Sequence, residues 1–363
     1  MNSKSHTTIQ FLKTVINSMM FLLLTTIPCL AQPLQTEQQQ TTVVCKDTFY
    51  QQAFDEITDM LEGKTEPSVK RAVFLLEWAY LKGQPDYKSY CNEIASFANN
   101  LKAFMLLNKL DKHPIGSNLA LFEFFTNDNP LNGHKAYTYD FDDYMGKHDF
   151  TNTFVTKLMR THSGQCRSLP LFYKILANEI GAQSYIAYAP MHSFIRHRSE
   201  DGKRWMNVEL TNHSMPREVF IIESTGITQR AIETGIYMKP CDDKEIIIHL
   251  LMELTHGYQR LYGVDSFVEK CVNVALQYDP DNLPAWMTLA DKLYCEGVAY
   301  QQELRRKRQP EDQWSLDNYA RYKATKQKIA DLGYIETSPE MYDAWMKDIQ
   351  EEIDRRKQTA TNH

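Results

Sequence analysis

The sequence predicts an α+β protein in which helices flank a small core made of one helix and a strand-and-hairpin unit. Apolar residues recur at helical spacing over residues 45–113 and again beyond residue 240. Between these regions, the apolar stretch 185–189 and the alternating residues around Asp201 and Gly202 predict strands that are joined by a hairpin turn. The chain has 363 residues, 43% of them hydrophobic, which is enough for two or three domains with a buried core.

The N-terminus has the pattern of a secretory signal peptide. Lys4 and Lys13 precede the apolar run 19–24, and the stretch from Cys29 to Ala31 forms a cleavage site. The run is too short to span a bilayer as a mature helix, and no second run is long enough. We therefore expect a mature chain that is periplasmic or secreted and has no transmembrane segment. An uncleaved anchor and a lipid-modified Cys29 are the alternatives.

After a polar linker at residues 32–44, the N-terminal region 45–115 is predicted to consist of core helices. Its apolar residues form three helical stretches, which are separated by Gly63, Gly83 and Pro85. The stretches contain Phe54, Ile57 and Leu61; Val69, Val73, Leu76 and Tyr80; and Ile94, Phe97, Leu101 and Met105.

The segment that follows gives a mixed signal. Residues 118–125 predict a short helix, and residues 137–144 alternate aromatic and acidic side chains, as a surface segment over a core does. Asp140, Asp142 and Asp143 could bind a cation, but their spacing lacks the pattern of a calcium loop. A solvated loop is therefore the favoured interpretation.

A cysteine stands at the entrance of the predicted central helix. Residues 169–180 have helical spacing, Gly181 is a natural end, and Pro170 is tolerated only in the first turn of a helix. Cys166 therefore lies at the helix N-terminus, where unpaired N–H groups lower the pKa of a thiol and can receive an oxyanion. The prediction is a nucleophile, and the alternative is a small buried apolar residue before a core helix.

A histidine and an acid follow on the predicted strands. His192 opens one strand, and a turn at residues 201–202 places Arg196 opposite Asn207. His192 is then diagonal to Glu209 and within side-chain reach of it. We therefore predict that Glu209 orients the imidazole, with Asn207 as the second candidate. A thiol, a base and an acid are the parts of a nucleophilic catalytic site, whereas a satisfied core histidine is the alternative.

These motifs resemble the transglutaminase-like core, and are closest to its SirB1-type branch, which adds tetratricopeptide helices. The resemblance covers about residues 150–215. It implies Cys166 as nucleophile, His192 as base and Glu209 as the acidic third member, where the family usually has aspartate. The motifs that carry it are Gly164-Gln165-Cys166, Pro190-Met191-His192-Ser193-Phe194, and Trp205 with Glu209 and Thr211. It also implies that Gln165, Phe194 and Trp205 line the oxyanion hole or the binding site, with Phe194 where the family usually has tryptophan.

The C-terminal region 241–363 resembles tetratricopeptide repeats. Ala275 and Pro280 take the positions expected in one unit, and Trp286 and Leu289 open the next. A third unit is not evident, and fewer than three repeats rarely fold alone, so we expect these helices to pack on the core. They would bind a peptide or protein partner, or act as a structural buttress.

The sequence as a whole predicts thiol-dependent acyl transfer or hydrolysis on a peptide or protein amide, without a metal or an organic cofactor. The net charge of −6, with no basic stripe, argues against nucleic acid as a partner. The wide cysteine spacing indicates neither a zinc site nor a disulfide scaffold. The alternative function is a non-catalytic pseudo-enzyme that binds a partner through its C-terminal helices. The predicted regions are a signal peptide (1–31), a linker (32–44), N-terminal helices (45–115), a papain/transglutaminase-like core (116–240) and tetratricopeptide-like helices (241–363).

Overall fold

The computed structural model describes residues 45–336 and the single positions 347, 350, 351 and 354, so the predicted signal peptide and linker lie outside the described residues. Within them the chain is an α+β protein, as predicted, and mostly helical. The elements in chain order are α1 (Thr48–Leu61), α2 (Val69–Tyr80), α3 (Tyr87–Leu107), α4 (Gly116–Thr126), β1 (Thr138–Tyr139), α5 (Val155–Thr161), β2 (Ser163–Gly164), α6 (Ser168–Ile180), β3 (Tyr185–Ala189), β4 (His192–Arg198), β5 (Trp205–Val208), α7 (Glu218–Thr225), α8 (Gln229–Glu233), α9 (Asp243–Tyr262), α10 (Ser266–Tyr278), α11 (Leu283–Lys307) and α12 (Gln313–Asp331).

Helices α1, α2 and α3 confirm the three helical stretches of the N-terminal region. Each begins after a polar side chain that accepts main-chain N–H groups of the first turn, namely Asp47, Ser68 and Asp86. Most of the apolar positions that define the stretches are buried, for example Ile57 and Val73. The short helix predicted at residues 118–125 is α4. Amphipathic spacing and capping agree at these positions, which explains why the sequence predicts them well.

The antiparallel sheet β3–β4–β5 carries the predicted base. Pro190 and Met191 form a two-residue connection between β3 and β4, because Ala189 pairs with His192. Proline suits the first central position of such a turn, and Met191 has a φ of 56°, in the left-handed region that non-glycine residues rarely adopt. The turn therefore constrains the backbone directly before His192.

The hairpin between β4 and β5 has the predicted register but a longer turn. Arg196 pairs with Asn207, as predicted. The predicted two-residue turn is wrong, because residues 200–203 form a four-residue loop in which Gly202 donates to the carbonyl of Ser199. The two turns share the same centre, so the extra residues leave the pairing of the strands unchanged.

Helix α6 lies at the centre of the main hydrophobic core. The ring of Phe172 is fully buried and makes edge-to-face contacts with Phe97, Phe124 and Phe125. Helix α9 packs on α1 and α2 and contributes apolar side chains to the same core. The main core therefore draws on residues from both sides of the predicted boundary at residue 240.

The C-terminal helices pack in sequence, α9 on α10, α10 on α11 and α11 on α12. Phe267 and Cys271 of α10 belong to the main core. A smaller apolar cluster joins Phe194 of the sheet to Leu283 of α11 and Ile329 of α12. These helices thus pack on the rest of the protein, as the sequence predicts. In the described part of the chain, none of the helices combines the length and the apolar character needed to cross a membrane.

Candidate active site

Cys166 lies two residues before α6, at the helix entrance where the sequence places it. The chain passes close to the helix there, since a Cβ at Gly164 would lie 2.7 Å from Ser168 Oγ. The same hydroxyl accepts the N–H of Gln165 at 3.0 Å, which fixes the approach to the helix. The cysteine is buried, and its Sγ lies 3.9 Å from the carbonyl oxygen of Met191.

The main chain beside the thiol offers hydrogen-bond donors. Within residues 45–336, the N–H groups of Cys166 and Arg167 have no hydrogen-bond partner, because both residues precede the first turn of α6. A group that develops negative charge next to the thiol can therefore find two donors there.

Two aromatic side chains cover the thiol. Tyr139 and Phe141 are buried and pack with Cys166 in one small cluster. The acids between them have structural partners: Asp140 forms a salt bridge of 2.6 Å with a lysine of α5, and Asp143 accepts three main-chain N–H groups of its own loop. The aromatic side chains are therefore buried, while Asp142 is exposed and Asp140 and Asp143 are half-buried, as the alternation predicts for a surface segment over a core. Nowhere in the described chain are three or more histidine, cysteine or acidic side chains grouped to hold a metal ion.

His192 is the first residue of β4, and its imidazole is completely buried. Its Nε2 lies 2.5 Å from Oε2 of Glu209. Its Nδ1 is also buried and has no hydrogen-bond partner among the described residues. The ring lies nearly parallel to that of Phe194, with an interplanar angle of 15°. The imidazole therefore binds a carboxylate with one nitrogen and keeps the other available for a proton.

Glu209 is held on both of its carboxylate oxygens. Besides the contact of Oε2 with His192, Oε1 accepts from the N–H of Thr211 at 3.0 Å and from its hydroxyl at 2.6 Å. Burial raises the pKa of Glu209, but the charge of His192 and these hydrogen bonds outweigh burial and hold the pKa below its ordinary value. Glu209 is thus ionised at neutral pH and is placed to stabilise a protonated imidazole.

The strand that bears His192 is also tied to the thiol residue. The hydroxyl of Ser193 donates to the carbonyl oxygen of Cys166 at 2.7 Å. No hydrogen bond joins the thiol to the imidazole within the described chain, where Sγ contacts the carbonyl of Met191 instead. Catalytic hydrogen bonds are often long without substrate and tighten when it binds. Cys166 and His192 line the same cavity.

The second candidate for orienting the histidine does not contact it. The side-chain amide of Asn207 donates to the carbonyl of Pro216 at 3.0 Å, while Glu209 makes the contact that the hairpin geometry predicts. The register explains this difference, because Asn207 pairs with Arg196, farther along β4 from His192.

The three other predicted binding residues have different surroundings. Gln165 lines the cavity, but its amide donates to the carbonyl of Asp143 at 2.6 Å, so it holds the covering loop. Phe194 is buried against the imidazole. Trp205 lies at the far end of the hairpin, where the guanidinium of Arg198 stacks on its ring, and it does not line the cavity. The structure therefore brings Gln165 and Phe194 to the site but leaves Trp205 outside it.

The cavity has a volume of about 270 Å³ and extends from the thiol towards the C-terminal helices. His249, Glu253 and His256 of α9 line it, and their spacing places them on one helix face. Glu253 forms a salt bridge of 2.9 Å with Arg167, the residue after the thiol. Burial lowers the pKa of His249 to about 4 and that of His256 to about 3, so both rings are neutral.

Sequence reasoning did not single out this face of α9. The spacing of its polar residues, at intervals of three and four, was the available signal, but it does not say which cavity the face lines.

Comparisons with protein-family models, with curated proteins and with solved structures found no match to this chain. The function therefore has to be inferred from the geometry of the site.

Proposed function

We propose that this chain is a thiol-dependent enzyme that takes an acyl group from a peptide or protein amide and passes it to water or to an amine. The observation that carries the proposal is the buried His192, which contacts Glu209 through Nε2 and leaves Nδ1 without a partner beside a cavity that Cys166 also lines. A base between a nucleophile and an orienting acid requires this arrangement.

In the first half of the proposed reaction, Nδ1 of His192 takes the proton of the thiol, and Sγ of Cys166 attacks the carbonyl carbon of the amide. A carbon–sulfur bond forms while the carbonyl electron pair moves onto oxygen. The N–H groups of Cys166 and Arg167 receive this oxyanion. The oxyanion then re-forms the carbonyl and expels the amine, which takes the proton from Nδ1, so a thioester remains on the enzyme.

In the second half, water or an amine gives a proton to Nδ1 of His192 and attacks the thioester carbon. Collapse of this second tetrahedral intermediate breaks the carbon–sulfur bond and expels the thiolate, which recovers the proton. Hydrolysis and transfer therefore use the same protein groups and differ only in the second nucleophile.

The contribution of Glu209 is electrostatic and geometric. His192 becomes positively charged in each half of the reaction, and the carboxylate that binds its Nε2 stabilises this form. The contact also sets the tautomer, since a proton on Nε2 leaves Nδ1 as the acceptor for the thiol proton. Thr211 holds the carboxylate in place from the other side.

We also propose a more specific fold for the core and the C-terminal helices, and a location for the protein. The motifs around Cys166, His192 and Glu209 support a transglutaminase-like core, and the sequential packing of the C-terminal helices is compatible with a tetratricopeptide-like module that binds a protein partner. The N-terminal pattern supports export to the periplasm or secretion. The site calls for neither a metal nor an organic cofactor in this chemistry.

Alkylation of Cys166 tests the proposal. Its modification by iodoacetamide, located by peptide mass, is expected to persist at mildly acidic pH, where ordinary thiols are protonated. Cys241 is a matched control in the same chain, because it is buried, lines the same cavity, and burial raises the pKa of its thiol to about 12. We expect fast labelling of Cys166 and little labelling of Cys241. In the His192→Ala variant, the labelling of Cys166 should be slow.

An alkylation rate that does not depend on His192 would contradict the catalytic interpretation. If the rate at Cys166 follows the pH profile of a free thiol and His192→Ala leaves it unchanged, the thiol and the imidazole do not act together. The non-catalytic alternative, in which the helices bind a partner, would then explain the chain better.

A further inference from the structure

The far end of the cavity contains a carboxylate without a partner. Asp291 of α11 shares a helix face with Leu283 and Met287, and all three line the cavity. Within residues 45–336, Asp291 forms no ion pair or hydrogen bond; Lys326, which attracts it at longer range, pairs with Glu336. Burial raises the pKa of Asp291 to about 6. Asp291 is half-buried, and a carboxylate that lines a cavity without a protein partner is available to a cationic ligand.

Two tyrosines that line the cavity lie near Asp291. Tyr237 follows α8, and Tyr334 follows α12. Tyr334 is close enough to Asp291, and Tyr237 to Tyr334, for their charges to interact. The chain turns into Tyr334 at Gly333, whose φ is 91° and whose Cβ, if present, would lie 2.5 Å from the main-chain nitrogen of Ala231. Thr228 donates to the carbonyl of Gly333 at 2.8 Å and holds this turn. Aromatic rings beside a carboxylate favour an organic cation, because the ring faces and the anion both attract positive charge.

The charges of the cavity wall also favour a cationic ligand. Five acidic residues line the cavity against two basic ones, Arg167 and Lys239. Most of the acids already have a partner: Glu245 pairs with Lys239, Glu253 with Arg167 and Asp281 with Lys328, and Asp279 accepts from Asn282. Of the acidic residues that line the cavity in the described chain, Asp291 alone is left without one.

On the basis of the proposed function, we infer that the Asp291 end of the cavity binds an organic cation of the substrate, an alkylammonium or a guanidinium group. The apolar side chains of Leu283 and Met287 suit the methylene stem that carries such a group. The cation has two chemical sources, a basic side chain on the acyl donor or a second amine on the acceptor. Asp291 is then a residue that determines specificity.

Binding to an inactive variant tests the inference without any turnover. n-Pentylammonium and the uncharged n-pentanol are titrated into full-length Cys166→Ala by calorimetry, with and without Asp291→Asn. We expect the ammonium to bind more tightly than the alcohol. Asp291→Asn should lower the affinity for the ammonium about tenfold or more and leave the affinity for the alcohol unchanged. Asp317→Asn, at an exposed acid of α12, is the matched control and is expected to change neither.

Asparagine has the size of aspartate and removes no partner, so the variant is expected to keep its unfolding temperature, which is measured alongside. Equal binding of the ammonium and the alcohol, or ammonium binding that Asp291→Asn does not weaken, would overturn the inference.

Turnover then separates the two sources of the cation. Donor amides with lysine or norleucine are compared, as are the acceptors cadaverine and n-pentylamine. If the enzyme prefers the lysine donor and Asp291→Asn abolishes this preference, the pocket binds the donor. If it prefers cadaverine and Asp291→Asn abolishes that preference, the pocket binds the acceptor. If neither substrate with the extra cation is preferred, the inference is overturned. If Cys166 is reactive but the ammonium does not bind, only this inference is refuted. If the ammonium binds in a way that depends on Asp291 but Cys166 is unreactive, only the proposed function is refuted.

Discussion

Replacing Glu209 by glutamine removes one charge from the centre of the proposed site and keeps the size of the side chain. The carboxylate contacts His192 at 2.5 Å and accepts two hydrogen bonds from Thr211, and it is buried from solvent. Glutamine can still accept a hydrogen bond, but it gives no charge to a protonated imidazole. A hydrogen bond to a charged group contributes about 1.5–3 kcal/mol, which corresponds to roughly 10- to 150-fold in rate.

The assay is the second-order rate of iodoacetamide with Cys166 at near-neutral pH. We expect Glu209→Gln to lower this rate by the factor above. Asn207→Ala is the control, because Asn207 bonds to Pro216 and does not contact the imidazole. Circular dichroism and thermal unfolding establish that both variants are folded, so that a loss of rate reflects the site.

Acid unfolding gives an independent check on the same residue. The folded pKa of Glu209 lies below its ordinary value of 4.5, so its contribution to stability is present above about pH 4.5 and is lost as pH falls through the folded pKa. Glu209→Gln should therefore lose less stability than the native chain on acidification. The assignment would be refuted if Glu209→Gln kept the native alkylation rate, or if Asn207→Ala slowed it equally.

Two further predictions concern stability. Burial raises the pKa of Glu77 to about 7 although its carboxylate accepts N–H groups at the start of α5, so the folded state holds its proton more tightly than the unfolded chain. Stability should fall by up to about 3 kcal/mol as pH rises from about 4.5 to 7, and unfolding temperatures of Glu77→Gln should lack this slope. Phe172→Ala should cost about 3–5 kcal/mol in urea unfolding, because it empties a ring site among Phe97, Phe124 and Phe125. A loss below about 1 kcal/mol would contradict the description of the core.

Local signals predict the helices and the strand register well. The N-terminal helices combine apolar spacing with polar caps such as Asp47, and Gly181 ends α6 with a φ of 76°. The contact of His192 with Glu209 follows from pairing alone, because residues on one face of a ribbon have fixed neighbours. These features depend on neighbours in sequence or on one turn.

Features that depend on long-range packing were beyond such reasoning. Tyr139 reaches the thiol because β1 pairs with β2, directly before Cys166. Glu253 reaches Arg167, the residue after the thiol, because α9 packs against the core. Both contacts join elements that are far apart in sequence. The prediction for Trp205 has a different origin, because it rests on the family resemblance, whereas the strand register pairs Trp205 with Arg198 at the end of the hairpin distant from the cavity. The partnerless Asp291 also becomes visible only when α11 is placed against the cavity.

The claim that Cys166 carries the acyl group is tested most directly by trapping that intermediate. Full-length protein is mixed with p-nitrophenyl acetate, quenched in acid within the first turnover and examined by peptide mass. We predict one acetyl group on the peptide that contains Cys166, its removal by hydroxylamine, no label there in Cys166→Ala and slow labelling in His192→Ala. Acetylation of other residues alone, or equal labelling of Cys166 with and without His192, would contradict the proposed mechanism.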